Sequence, residues 1–150
     1  MRKWLLLIFI PINLVAQPYQ SVDELAEEFI HALRKMETTE FKKLYPTDSV
    51  VVSNMDENLG FHLQDSLISD YTNIVRKGLE LGIDWSKIRF IKAEYITTYD
   101  GPFLIAQPCV VIFQHRLFRY AININCSKIN DSWGLVPIKR DNELIYLKKI

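Results

Sequence analysis

The 150-residue sequence predicts an α+β domain: N-terminal helices packed on a curved antiparallel sheet of about four long strands. Three observations carry this. Apolar residues recur at helical spacing as far as Leu81 and at period two from Ile88 onward, so helices and strands are segregated along the chain. Gln107 to Lys128 reads as one long β-hairpin whose second arm alternates, with Tyr120, Ile122, Ile124 and Cys126 on one parity and Arg119, Ala121, Asn123, Asn125 and Ser127 on the other. The first arm, Cys109 to Phe113, is apolar on both parities, as a doubly covered strand is.

Residues 1–16 stand apart. Arg2 and Lys3 precede an unbroken apolar run, Trp4 to Ile10, and Ala16 offers a small residue for cleavage, the pattern of a secretory signal. The run is shorter than the roughly 20 apolar residues of a membrane span. The expected product is a single domain over 17–150 that is secreted or periplasmic and has no stable membrane span; the alternative is an uncleaved anchor. Basic and acidic side chains number 18 each, and loss of Arg2 and Lys3 leaves a formal charge of −2. That balance gives no electrostatic footprint for nucleic acid.

Ser21 and Glu24 form a capping box, and Val22, Leu25, Ala26, Phe29, Leu33 and Met36 follow as one helical stripe, with His31 on the outer side. Thr38 or Thr39 caps a short helix, Glu40 to Tyr45, which Pro46 stops. Val50-Val51-Val52 predicts a short strand within Ser49 to Ser53. Asn54 and Glu57 form a second cap pair, and a long helix is expected from Met55 to Leu81, with Leu63, Leu67, Tyr71, Ile74 and Gly78 inward and Gly82 as its stop. His62 and Asp65 fall on its outer side. Gly78 predicts close packing or an earlier helix end.

Strands are expected at Ile88 to Tyr99, Phe103 to Ala106, the two hairpin arms, and Trp133 to Ile138. Turns fall at Asp100-Gly101-Pro102 and Asn130-Asp131-Ser132, and a bulge or bend at Pro108. Leu144 to Leu147 adds an edge strand or a packed tail. Opposing Cys109 to Cys126 also pairs Val111 with Ile124, Phe113 with Ile122 and His115 with Tyr120, around a four-residue loop Arg116–Arg119. An oxidising compartment would allow a Cys109–Cys126 disulfide; two free buried thiols are the other reading.

The opening Leu25-Ala26-Glu27-Glu28-Phe29-Ile30-His31-Ala32-Leu33, then Thr39-Glu40-Phe41-Lys42-Lys43-Leu44-Tyr45-Pro46, resembles the leading helices of the NTF2-like (SnoaL-like, cystatin-type) superfamily. The late strands ending in Ser132-Trp133-Gly134-Leu135-Val136 are similar to it too. The resemblance implies a sheet wrapped around the long helix as a cone with an apolar cavity. It further implies that any catalysis would be acid–base work by Asp or His with Tyr, and that a homodimer through the open sheet face is one arrangement.

Phe41, Tyr71, Tyr95, Tyr99, Tyr120 and Trp133 are the candidate lining of such a cavity, with a filled aromatic core as the competing reading. Asp48 and His115 are the nearest candidates for a base, but no catalytic residue is assigned; His115 lies near a hairpin tip, where exposure is expected. Leu117 and Phe118, between Arg116 and Arg119, are the candidate contact surface for a protein partner or a membrane. No metal set, cofactor loop or nucleophile elbow is visible in the spacing. The leading expectation is a noncatalytic binding or interaction module for a small apolar ligand or a protein partner. The alternatives are a cone-type lyase or isomerase, and a structural accessory of the cell envelope.

Overall fold

The computed structural model of the chain describes residues 19–46, 52, 53, 57, 62–136 and 147–150; the side chains of Leu63, Gln64 and Leu67 are outside that description. The predicted signal segment, Asp48, Asn54, residues 137–138 of the expected last strand and residues 144–146 of the expected tail also lie outside it.

Helix α1 spans Val22–Lys35. Ser21 Oγ accepts the Glu24 N–H at 3.1 Å, and the Glu24 carboxylate accepts the Gln20 N–H at 2.7 Å, so the capping box closes one residue further out than the motif requires. Val22, Leu25, Ala26, Phe29 and Leu33 of its stripe are buried, with Ile30 beside them, and His31 is exposed as expected. Met36 departs from the stripe, because it caps the helix in a left-handed backbone (φ 52) that turns it out to solvent. Helix α2 is Thr38–Lys42, with Glu37 rather than a threonine at the cap. Its exit turn is fastened to the sheet, because the Leu44 carbonyl accepts the Leu135 N–H at 2.8 Å.

Two helical expectations are corrected. Val52 and Ser53 are helical, so the β-branched run does not give the predicted strand there; branched residues favour strands only where a sheet neighbour exists to pack against. The long helix does not run unbroken from Met55. Glu57 is helical, but His62 takes an extended backbone (φ −74, ψ 122), and α3 runs Leu63–Glu80 from it. Gly82, at φ 74, ends the turn after α3 as predicted.

The strands are β1 (Arg89–Asp100), β2 (Phe103–His115), β3 (Phe118–Ile129), β4 (Ser132–Val136) and β5 (Leu147–Lys149). They form a curved antiparallel sheet that does not close, in the order β1-β2-β3-β4, with β5 also pairing with β3. Register breaks at Ile91 and Ile96 of β1 and at Gln107-Pro108 of β2 bend it. The Gln107–Pro108 peptide is cis, at the place where Pro108 predicts a bend. Asn130 and Asp131, both at positive φ (48 and 64), make a two-residue turn between β3 and β4.

The hairpin's parity is as predicted, but its register is two residues shorter. Phe113 faces Tyr120, Val111 faces Ile122, Cys109 faces Ile124, and His115 faces Phe118. Arg116 at φ 55 lets two residues, Arg116 and Leu117, complete the turn instead of four. The break at Gln107-Pro108 shifts the register by one further residue, so that beyond it Ala106 faces Cys126.

Helix α1, not the long helix, lies across the sheet: it contacts β1, β2 and β4, whereas the main neighbours of α3 are α2 and β5. The layers are joined by Trp85, in a short 3-10 turn after α3 (Trp85–Lys87). Its indole N–H donates to the Val75 carbonyl at 3.1 Å, its ring lies 5.8 Å from that of Phe113, and it fills the notch at Gly78. A Cβ at Gly78 would stand 2.5 Å from Trp85 Cε2. Helix propensity alone favours Gly78→Ala by about 1 kcal/mol. The buried indole reverses the sign: Gly78→Ala is expected to destabilise the protein by about 1–3 kcal/mol in urea unfolding.

Candidate functional site

Among the described residues, a cleft between helices and sheet is lined by Phe29, Phe41, Tyr45, Asp70 and Ile74 from the helical layer and Asn123, Ile124, Asn125, Leu135 and Val136 from the sheet. It lies beside the stretch of β3 between its β4 and β5 partners: β4 covers Asn125–Ile129 and β5 covers Tyr120–Ile122. Its volume is about 20 Å³, room for about one water molecule.

The predicted lining residues separate into three groups. Phe41 borders the cleft and is buried, with its ring 5.7 Å from Phe29, 5.7 Å from Tyr45 and 4.9 Å from Tyr71. Tyr71 packs behind it, and burial raises its phenol pKa. Tyr120 and Trp133 are core residues elsewhere: Tyr120 stacks on Phe113 at 5.5 Å, and Trp133 donates its backbone N–H to the Tyr19 carbonyl at 2.9 Å. Tyr95 and Tyr99 face outward. Tyr99 is 74 % exposed, and the Tyr95 hydroxyl donates to the Asp23 carboxylate at 2.9 Å on the surface. Of the six, Phe41 lines the cleft and Tyr71 backs it, while the other four lie elsewhere.

Tyr45 and Asp70 supply the polar side chains of the cleft's helical wall, and sequence reasoning passed over them. Tyr45 was hidden by its position before Pro46, where it reads as the end of a helix. Asp70 stands one turn before Ile74, next to the inward stripe, and that spacing is the signal available for it. Burial pushes the Tyr45 phenol well above its ordinary value, and the Asp70 charge adds to the effect. A phenol held protonated and a carboxylate can hydrogen-bond one small polar group. They do not make a nucleophile with its base.

His115 corrects another expectation. It is 2 % exposed, and its Nε2 accepts the Asp84 backbone N–H at 3.3 Å, which ties the turn before β1 to the end of β2. Asp84 in turn caps the 3-10 turn, accepting from the Ser86 N–H at 3.2 Å and pairing with Lys87 at 2.8 Å. Lys87 foremost, then Ser86, lowers the Asp84 pKa to about 2.

Cys109 and Cys126 are buried free thiols on the inner face, diagonal across the β2–β3 ladder rather than opposite. A hydrogen bond with Cys109, then burial, raises the Cys126 thiol well above its usual pKa. Among the described residues no group of three His, Cys, Asp or Glu side chains is placed to hold a metal, and no helix is long and apolar enough to cross a membrane. No protein family, curated protein or solved structure matches the chain.

Two outcomes follow from these environments. Neither cysteine of the reduced protein should react with a thiol reagent in the native state, and both should react after unfolding; native labelling read by mass spectrometry checks this. The Asp84 cap holds a folded pKa below the ordinary carboxylate value. Its stabilising contribution is therefore complete at neutral pH and lost as pH falls through about 2, which an NMR titration of the Asp84 carboxyl carbon reads directly.

Proposed function

We propose that the chain is an exported, noncatalytic interaction module that works through its surface, built on an NTF2-like plan whose interior serves as core. One observation carries the reading. Phe41 is enclosed by Phe29, Tyr45 and Tyr71, and the cleft it borders holds about 20 Å³. Pockets for small organic ligands are typically about 300–1,000 Å³. The signal-like residues 1–16 support export.

A lyase or isomerase reading needs an acid or histidine beside a tyrosine inside the cavity. Tyr45 and Asp70 share the cleft, but at about 20 Å³ it has no room for an organic substrate beside them, and His115 is engaged by the Asp84 backbone. Both features support a noncatalytic role.

Native mass spectrometry of the protein purified from its own host tests this. The expected spectrum is the bare polypeptide. A small-molecule adduct that survives native spraying and disappears on denaturation would contradict the filled interior.

A further inference from the structure

We propose that the tip of the β2–β3 hairpin, with the C-terminal strand beside it, is a docking surface for an anionic lipid bilayer. The inference rests on the surface role argued above and names the partner.

The tip is an apolar point set in a ring of cations. Leu117 is 91 % exposed, more than any other large apolar side chain described, and Phe118 beside it is 47 % exposed. Arg116 stands in the turn itself. Arg119 and Lys148 lie diagonally on one face of the β3–β5 ladder, and Lys149 lies on the other. Among the described residues none of these four cations has a carboxylate partner. The acidic residues Asp23 and Glu24 open α1 at the far end of the strands, where Tyr19 bridges Trp133 and Trp133 faces Lys128. Ten residues of strand separate Phe118 from Lys128, roughly 33 Å. Four cations without a carboxylate partner among the described residues thus surround one apolar tip.

The tip is held in place. Gln114 Nε2 donates to the Arg116 carbonyl at 2.7 Å, the Ile150 N–H donates to the Arg119 carbonyl at 2.9 Å, and Lys149 Nζ sits 3.2 Å above the centre of the Phe118 ring. A rigid apolar point can enter the acyl boundary without first being ordered, while lysine and arginine stems reach back to the phosphates.

Two other partners fit less well. Lys149 occupies a face of Phe118, the one aromatic ring at the tip, so that face is not open as a base-stacking platform. The exposed apolar residues described there, Leu117, Phe118 and Ile150, fall far short of the roughly 800 Å² that each partner gives to a standard protein interface. A bilayer asks only for an inserted point and surrounding cations.

Co-sedimentation of the full chain, purified from its host, with vesicles tests the proposal. Binding is expected to vesicles of phosphatidylcholine mixed with phosphatidylglycerol and not to phosphatidylcholine alone, and it should weaken as salt is raised. Leu117→Asp should reduce it by roughly tenfold or more, and Arg119→Glu with Lys148→Glu should abolish it. Because Leu117 touches little of the protein, the Leu117→Asp unfolding midpoint should be unchanged, which separates lost docking from lost folding. Absence of binding to the mixed vesicles would overturn the proposal. So would binding that Leu117→Asp leaves intact, or equal binding to a double-stranded oligonucleotide with the same Leu117 dependence. These outcomes are independent of the mass spectrum: failure here removes the lipid partner, whereas a ligand adduct there removes the filled interior.

Discussion

Trp85 in the notch at Gly78 is the contact on which the two layers depend. The chain must pass from α3 into an edge strand within a few residues, and the indole makes that passage rigid. It is bonded to the helix through the Val75 carbonyl, seated where only hydrogen occupies the Cα of Gly78, and tilted against Phe113 of β2. One residue away, the Asp84 N–H meets buried His115. Helix end, turn and hairpin end are thereby clamped at one point. The tip that projects beyond His115 inherits its fixed position from that clamp.

The interior follows the same logic of filling space with rings. Phe29, Phe41, Tyr45 and Tyr71 form a continuous aromatic chain between the helices, and Trp85, Phe113 and Tyr120 form another along the sheet. Tilted rings at such separations add about 0.5–1.5 kcal/mol per pair beyond the apolar area they bury. A core of this kind stabilises the fold and leaves little room for a guest. The surface role proposed above therefore looks to what is exposed, the Leu117 point above all.

Much of the fold was legible because period and parity survive errors of register. Tyr120, Ile122, Ile124 and Cys126 face the core whichever residue of β2 stands opposite. The register itself was not legible. It depends on Arg116 adopting a left-handed backbone without glycine or asparagine to signal it, and on a break at Gln107-Pro108 that shifts the pairing by one more residue. The helix start at His62 was hidden for a related reason: neither proline nor a side-chain cap marks it, so the apolar spacing reads straight through. The cleft was half legible. Phe41 and Tyr71 belong to readable stripes, but Tyr45 and Asp70 come together only through the packing of α2 against α3, a long-range contact that no local pattern encodes. His115 was misjudged because proximity to a turn predicts exposure, whereas the Asp84 turn covers it.

The central claim is that Phe41 is part of the core and not the wall of an occupied site. Its truncation separates the two. Chemical unfolding of Phe41→Ala against the parent protein should show a loss of about 3–5 kcal/mol, the cost of emptying a packed aromatic position. A loss below about 1 kcal/mol would be the signature of a side chain facing open space, and would contradict the filled interior from which the surface role is argued.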